Sequence, residues 1–226
     1  MRDVKRFYRV LSELEKRVGG KRKLKDCHSK MNWPERGVYF FFERGEKRND
    51  SGKGLRVVRV GTHMLKKGGK QTFWRRLSQH KSKSKSFGAS IFRKHVGEAL
   101  LLKTKGRAIS LKGKWWKSIS ERAIKDLANR VSDHIGNMPF LWLAIDDPAG
   151  PKSKRAYIER NSIALLSNCH RRGMPVDVSS KKWLGKDSRN SKISDSGLWN
   201  VKYVDKGYEP DFLNTLEKLV GSMKSR

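Results

Sequence analysis

The chain has 226 residues, the length of one domain or of one domain with an extension, and enough to bury a hydrophobic core without disulfides or metal ions. Its 53 Lys and Arg residues outnumber 22 Asp and Glu, and the resulting formal net charge of +31 favours a polyanionic partner such as nucleic acid. The composition excludes a collagen and a disulfide scaffold, and no apolar run approaches the ~18 residues of a membrane span.

Hydrophobic periodicity and turn residues predict the elements in chain order. Apolar residues at helical spacing over 4–18 predict a helix that Gly19-Gly20 ends, and the basic residues 21–25 are expected to form a solvated linker. The pattern then predicts strands over 37–43 and 55–60 joined by a polar loop, helices over 72–80, 89–102 and 119–135, a strand over 139–145, and helices over 152–168 and from about 210. The run 139–145 is too apolar for a half-exposed strand, so we expect it in the centre of the sheet.

The order of these elements predicts an α+β fold. An antiparallel hairpin and a central strand, flanked by helices, would form a small core over 35–170. A helical extension over 1–34 precedes this core. An irregular and helical extension over 171–226 follows it, and we expect this extension to contact DNA or a second subunit.

The sequence predicts a cytoplasmic protein. The first ten residues contain no signal-peptide core, and two cysteines, Cys27 and Cys169, fit a reducing compartment. A histidine follows each cysteine, but two Cys-His pairs so far apart lack the close ligand spacing of a structural zinc site. Zinc is therefore only a minor alternative.

Four short motifs occur in a fixed order along the predicted elements. They are Gly37-Val38-Tyr39 on the first strand, Arg59-Val60-Gly61 at the end of the second, Arg76 and His80 on the next helix, and Glu159 on a later helix. In these residues and their order the sequence resembles the GIY-YIG nuclease family over about residues 35–170. It looks closest to the restriction-type and uncharacterised prokaryotic branches.

The resemblance implies a GIY-YIG-like core and a catalytic role for each of these residues. Tyr39 would activate or position the attacking water, and Glu159 would bind Mg²⁺ or Mn²⁺. Arg76 and His80 are four residues apart and therefore leave one face of a helix. Arg76, assisted by His80, would stabilise the charge that develops on the phosphate.

Arg59 departs from the family pattern, because the second motif should begin with tyrosine. The cation there is either an active-site group, which favours the ionised form of Tyr39, or a phosphate contact at the end of the strand. We include it among the catalytic residues. The asparagine that follows late in the family has two candidates, Asn168 and Asn200.

Further basic and polar residues are candidate substrate contacts. His63 and Arg75 flank the motifs, and Asn168 lies behind Glu159. Lys81, Lys83 and Lys85 belong to a loop of alternating lysine and serine, which we expect to contact phosphate without reading base sequence. The tryptophans are expected to pack in the interior rather than stack on bases; they are Trp115, Trp116, Trp183 and Trp199.

These observations predict a metal-dependent endonuclease that acts on double-stranded DNA, in restriction or host defence, and that cuts both strands as a homodimer. Two alternatives remain: a DNA-binding protein on the same fold that has lost catalysis through Arg59, and an RNA-binding or RNA-processing protein. Asp146-Asp147 with Glu159 also suggests a PD-(D/E)xK nuclease, but Asn161 stands where that motif needs lysine.

Overall fold

The computed structural model describes residues 1–63, 65, 68–69, 71–106, 111, 113–150, 152–171 and 173–224. Within them the helices are α1 (Arg2–Arg17), α2 (Phe73–His80), α3 (Ile91–Lys105), α4 (Glu121–Gly136), α5 (Lys154–Leu166), α6 (Ser191–Ser196) and α7 (Phe212–Gly221). The strands are β1 (Arg22–Lys23), β2 (Gly37–Lys47), β3 (Leu55–Thr62) and β4 (Pro139–Ala144). Single 3₁₀ turns span Leu24–Asp26, Trp115–Ser118 and Leu184–Asp187. The predicted α+β fold is confirmed.

The four strands form one antiparallel sheet in the order β1-β4-β2-β3. The strand β4 is internal, as its continuous apolar sequence predicts, and β2 lies between it and β3. In this register Tyr39 of β2 is opposite Gly61 of β3 and Trp142 of β4. The two family motifs are therefore side by side at one end of the hairpin.

The prediction of a solvated linker over 21–25 is wrong. Arg22 and Lys23 form the edge strand β1 by pairing with Phe140 and Pro139, and the Leu24 side chain behind them is fully buried. Charged side chains suit a short edge strand, since they discourage pairing with a further chain. The basic composition of this segment gives no strand signal, so the sequence does not predict β1.

The terminal helices pack into the same hydrophobic cluster as the sheet. The Phe7 ring of α1 lies 5.9 Å from Phe40 of β2 and 6.5 Å from Phe212 of α7, measured between ring centroids. Burial of such aromatic surface is a main contribution to stability. The division into segments 1–34, 35–170 and 171–226 stays a prediction. No helix in the described part of the chain is long and apolar enough to cross a bilayer.

Residues 197–200, which we name the edge segment, cover the outer edge of β3. The Trp199 N–H donates to the Val58 carbonyl at 2.7 Å, and the Asn200 side chain bonds both the N–H and the carbonyl of Val60 at 3.0 and 2.8 Å. These contacts satisfy backbone groups that an open edge would leave exposed. The predicted burial of Trp199 is confirmed, as is that of Trp183.

Candidate active site

Tyr39 lies at the centre of the site, near the start of β2. Its ring covers Gly61, where a Cβ atom would overlap the phenol. Glycine is thus required at this position of β3 for steric reasons. The Tyr39 Oη is 2.9 Å from His80 Nε2 on α2, so the strand motif and the helix motif meet directly.

His80 is fully buried and has a partner on each ring nitrogen. Nδ1 is 2.9 Å from the Ser90 Oγ, and Nε2 contacts Tyr39. Burial lowers the pKa of His80 well below its ordinary value of 6.5, and the positive charges of Arg76, Arg59 and Arg93 lower it further. The imidazole is therefore neutral near pH 7, and one of its ring nitrogens is a hydrogen-bond acceptor.

Arg59 projects from β3 into the same buried region. Its Nη1 donates to the Trp199 carbonyl at 2.7 Å, and its guanidinium lies over the Phe92 ring at 4.6 Å. Burial lowers the pKa of Arg59, whereas interactions with Tyr39 and Glu159 raise it. Arg59 thus connects the edge segment with Tyr39 and Glu159, which are two of the predicted catalytic residues.

Glu159 reaches the site from α5, which the Ser153 side chain caps at its N-terminus by accepting from the Ala156 N–H at 3.3 Å. The Glu159 Oε1 accepts from the Thr62 N–H at 3.1 Å, which joins α5 to the end of β3. Burial raises the pKa of Glu159, and Arg59 is the largest of the opposing influences.

The surroundings of Glu159 fit a weakly ligated divalent ion. No described residue donates a hydrogen bond to its Oε2, and the side chain is half-buried, so this hard oxygen is available to a cation. The described residues contain no group of three or more acidic, histidine or cysteine side chains that would form a complete metal cage. Mg²⁺ suits such a site because it keeps several waters and takes substrate phosphate oxygens as ligands.

Arg76, on α2, is the last of the predicted catalytic residues. Thr72 caps this helix by accepting from the Arg75 N–H at 3.1 Å. The Arg76 Nη1 donates to Gln79 and to the Ala89 carbonyl at 3.1 and 3.3 Å. Its positive charge lowers the pKa of both His80 and Glu159, so it acts electrostatically on two of the site residues.

Comparison with known proteins identifies the family. The whole chain, residues 1–226, matches the family model described as GIY-YIG domain. The chain belongs to the GIY-YIG domain family. This is a nuclease-type family whose nucleases act on nucleic acids. No curated protein and no solved structure matched the chain.

The structure brings the predicted catalytic residues into one region. Tyr39, Arg59, Arg76, His80 and Glu159 converge from β2, β3, α2 and α5. Their catalytic roles stay predictions. The convergence of the side chains is what the order of the motifs predicts.

The predicted substrate contacts differ in their accessibility. Arg75 and Lys83 are exposed. Lys81 donates to the Cys27 carbonyl and lies 5.1 Å from the Trp74 ring, and Lys85 pairs with Glu121. These three lysines and Arg75 stay predictions as phosphate contacts.

His63 and Asn168 have structural partners. The buried His63 has its Nε2 3.2 Å from the Glu35 carbonyl. The Asn168 side chain bonds the N–H and carbonyl of Val176 at 2.8 and 3.0 Å. Of the two candidate asparagines, Asn200 is the one whose side chain bonds β3 beside Arg59.

Sequence reasoning missed three contributors to the site. Ser90 carries a recognisable signal, since a serine directly before an apolar helix is a typical N-cap, but nothing in the sequence links it to His80. The Thr62 N–H acts through backbone geometry alone. Lys202, which lowers the pKa of Glu159, cannot be distinguished in sequence among 53 Lys and Arg residues.

The aspartates that suggested a PD-(D/E)xK nuclease have other partners, and the two cysteines that suggested a zinc site are also accounted for. Asp147 pairs with the buried Arg155, and Asp146 lies 3.4 Å from Arg36, so both carboxylates have cationic partners away from Glu159. Cys27 and Cys169 are both free thiols.

Proposed function

We propose that this GIY-YIG domain protein is a metal-dependent endonuclease that hydrolyses DNA phosphodiester bonds, with Mg²⁺ or Mn²⁺ bound at Glu159. The observation that carries the proposal is the contact between the Tyr39 hydroxyl and a neutral, fully buried His80, within reach of an unsatisfied carboxylate oxygen and two arginines. A phenol held against a proton acceptor is suited to activating water.

In the proposed reaction the protons move along the Tyr39–His80 pair. Tyr39 takes a proton from the attacking water as its own hydroxyl proton passes to His80 Nε2. Arg76 stabilises the negative charge on the non-bridging phosphate oxygens. A bound divalent ion would supply further charge neutralisation at the phosphate and at the leaving oxygen.

The first test is cleavage of supercoiled plasmid and phage DNA at low salt with Mg²⁺, with Mn²⁺ and with EDTA. We expect metal-dependent cutting that falls by at least about 10²-fold in Glu159→Gln. The matched control is Glu209→Gln, which removes an exposed carboxylate that pairs with Arg160. Cleavage that persists in EDTA, or a Glu159→Gln variant as active as the unchanged protein, would contradict the proposal.

Arg59 supports a second candidate function, a DNA-binding protein that has lost catalysis. Its guanidinium occupies the place of the second motif tyrosine and is held by the Trp199 carbonyl. This candidate predicts a salt-dependent gel shift with DNA and no cleavage with either metal. Tighter binding to RNA than to DNA of equal sequence would instead favour an RNA-directed function.

Within the first proposal, we also propose that the nuclease acts in restriction or host defence and that it cuts both DNA strands as a homodimer.

A further inference from the structure

We propose that Ser90 is a positioning residue of the nuclease site, which holds His80 in the tautomer that carries its proton on Nδ1 and leaves Nε2 free to accept from Tyr39. This inference rests on the proposed function, because it concerns how the Tyr39–His80 pair is prepared for proton transfer.

The proposal starts from the burial of His80. Tyr39, His80 and Ser90 are all buried, and each ring nitrogen of His80 has one hydroxyl partner at 2.9 Å. A neutral imidazole has one donor and one acceptor nitrogen, and either hydroxyl can donate or accept. Two arrangements of protons are therefore compatible with the positions of these three side chains alone.

Arg59 distinguishes the two arrangements. The buried guanidinium has donors only and interacts with Tyr39, so its positive charge favours a phenol proton that points away from Arg59. His80 Nε2 is the hydrogen-bond partner found for the Tyr39 hydroxyl in the described part of the chain, so the phenol proton is directed at Nε2. Nδ1 then carries the ring proton and donates it to the Ser90 Oγ.

Ser90 is held in place by a second interaction. It is the N-cap of α3, and its Oγ also accepts from the Arg93 N–H at 3.3 Å. A hydroxyl oxygen has two lone pairs, so it can accept from both the helix and the imidazole. The start of α3 thus fixes the acceptor that selects the His80 tautomer.

Loss of the hydroxyl would leave the Nδ1 proton without an acceptor in a buried site, which is costly. The other tautomer would place the proton on Nε2, where it points at Tyr39 and cannot receive the phenol proton. We therefore expect weaker proton transfer with DNA binding retained.

The direct test is ¹⁵N NMR of the full-length protein with ¹⁵N-labelled imidazole rings, because the chemical shifts of the two ring nitrogens show which one is protonated. His80→Gln assigns the signals. We expect protonated Nδ1 and bare Nε2 in the unchanged protein, and gain of the Nε2-protonated form in Ser90→Gly. A proton on Nε2 in the unchanged protein, or an unaltered pattern in Ser90→Gly, would overturn the proposal.

Glycine is the replacement of choice because it removes the hydroxyl and is itself well tolerated at the N-cap of a helix. The matched control is Asn190→Gly, which removes the N-cap of α6, where the Asn190 Oδ1 accepts from the Lys192 N–H at 3.1 Å. Ser90→Thr keeps a hydroxyl and should restore the tautomer.

Cleavage kinetics provide a second readout. Ser90→Gly should lower kcat about ten-fold with KM nearly unchanged, and Ser90→Thr should recover most of the rate. A rate loss equal in Ser90→Gly and Asn190→Gly would reduce Ser90 to a helix cap. The NMR measurement needs no cleavage, so it decides the tautomer even where the nuclease proposal itself fails.

Discussion

Arg59 occupies the position at which the second motif of the family begins with tyrosine. A tyrosine hydroxyl can donate or accept, whereas a guanidinium only donates. The exchange therefore changes which hydrogen bonds Tyr39 can form, in addition to adding a positive charge beside it. At the scale of single residues, the hydrogen bonds that a buried polar side chain can form depend on the donors and acceptors next to it.

His63 gives a prediction about acid stability. Burial lowers its pKa from 6.5 to about 4, and the charge of Arg155 lowers it further. The unfolded chain then binds a proton that the folded protein does not, so stability is retained above about pH 6.5 and is lost as the pH falls towards 4. The full effect is on the order of 3 kcal/mol.

We therefore expect His63→Gln to show a smaller loss of unfolding free energy between about pH 7 and about pH 4.5 than the unchanged protein, measured by urea titration. His170→Gln, at an exposed position, is the control and should leave the pH dependence as it is. Equal pH dependence in all three proteins would show that His63 is not held neutral by burial.

At the scale of elements, the edge segment and β3 depend on each other. β3 is the last strand of the sheet, and it carries Arg59 and Gly61. The edge segment supplies the carbonyl that holds Arg59 and the amide that satisfies Val60. Part of the C-terminal extension is thus needed to keep the second motif in position.

Asn200→Ala should lower the free energy of unfolding by about 2 kcal/mol, because it leaves the buried N–H and carbonyl of Val60 without partners. Chemical denaturation measures the loss. Asn49→Ala, which removes an exposed side chain from the hairpin tip, should change stability by less than about 0.5 kcal/mol. A similar small effect for both variants would contradict the stabilising role of the edge segment.

At the scale of the whole molecule, the net charge of +31 acts over distances much longer than any single contact. Lysines and arginines are spread along the whole chain, so most of them attract phosphate without being placed for catalysis. The position of a lysine relative to the site then decides whether it contributes to binding.

Lys83→Ala should reduce the slope of log Kobs against log salt concentration by about 1, since one phosphate contact is lost. Fluorescence anisotropy with a DNA duplex over a salt series measures it. The control is Lys53→Ala, an exposed lysine at the hairpin tip, which lies at the opposite end of β2 and β3 from Tyr39. Equal slopes for both variants would show that the Lys81–Lys85 loop is not a phosphate contact.

The sequence predicts those features of the fold and site that depend on neighbouring residues, and it does not predict contacts between segments far apart in the chain. Tyr39 and the Arg76–His80 pair were identified through their resemblance to the family motifs, on a strand and a helix that composition and helical spacing predict locally. The strand β1 and the edge segment were not, because backbone pairing between distant segments leaves no pattern in either of them. Ser90 shows both cases: its capping role is local, and its contact with His80 is tertiary.

The tie between Arg59 and Trp199 also has a consequence for the order of events during synthesis. The two residues are separated by 140 positions. At about 5–20 residues per second, the ribosome needs on the order of ten seconds to make the intervening chain. The hairpin with Tyr39 and Arg59 is therefore produced long before its covering segment, and a nascent chain passes through a period in which it holds the first motifs but no finished site.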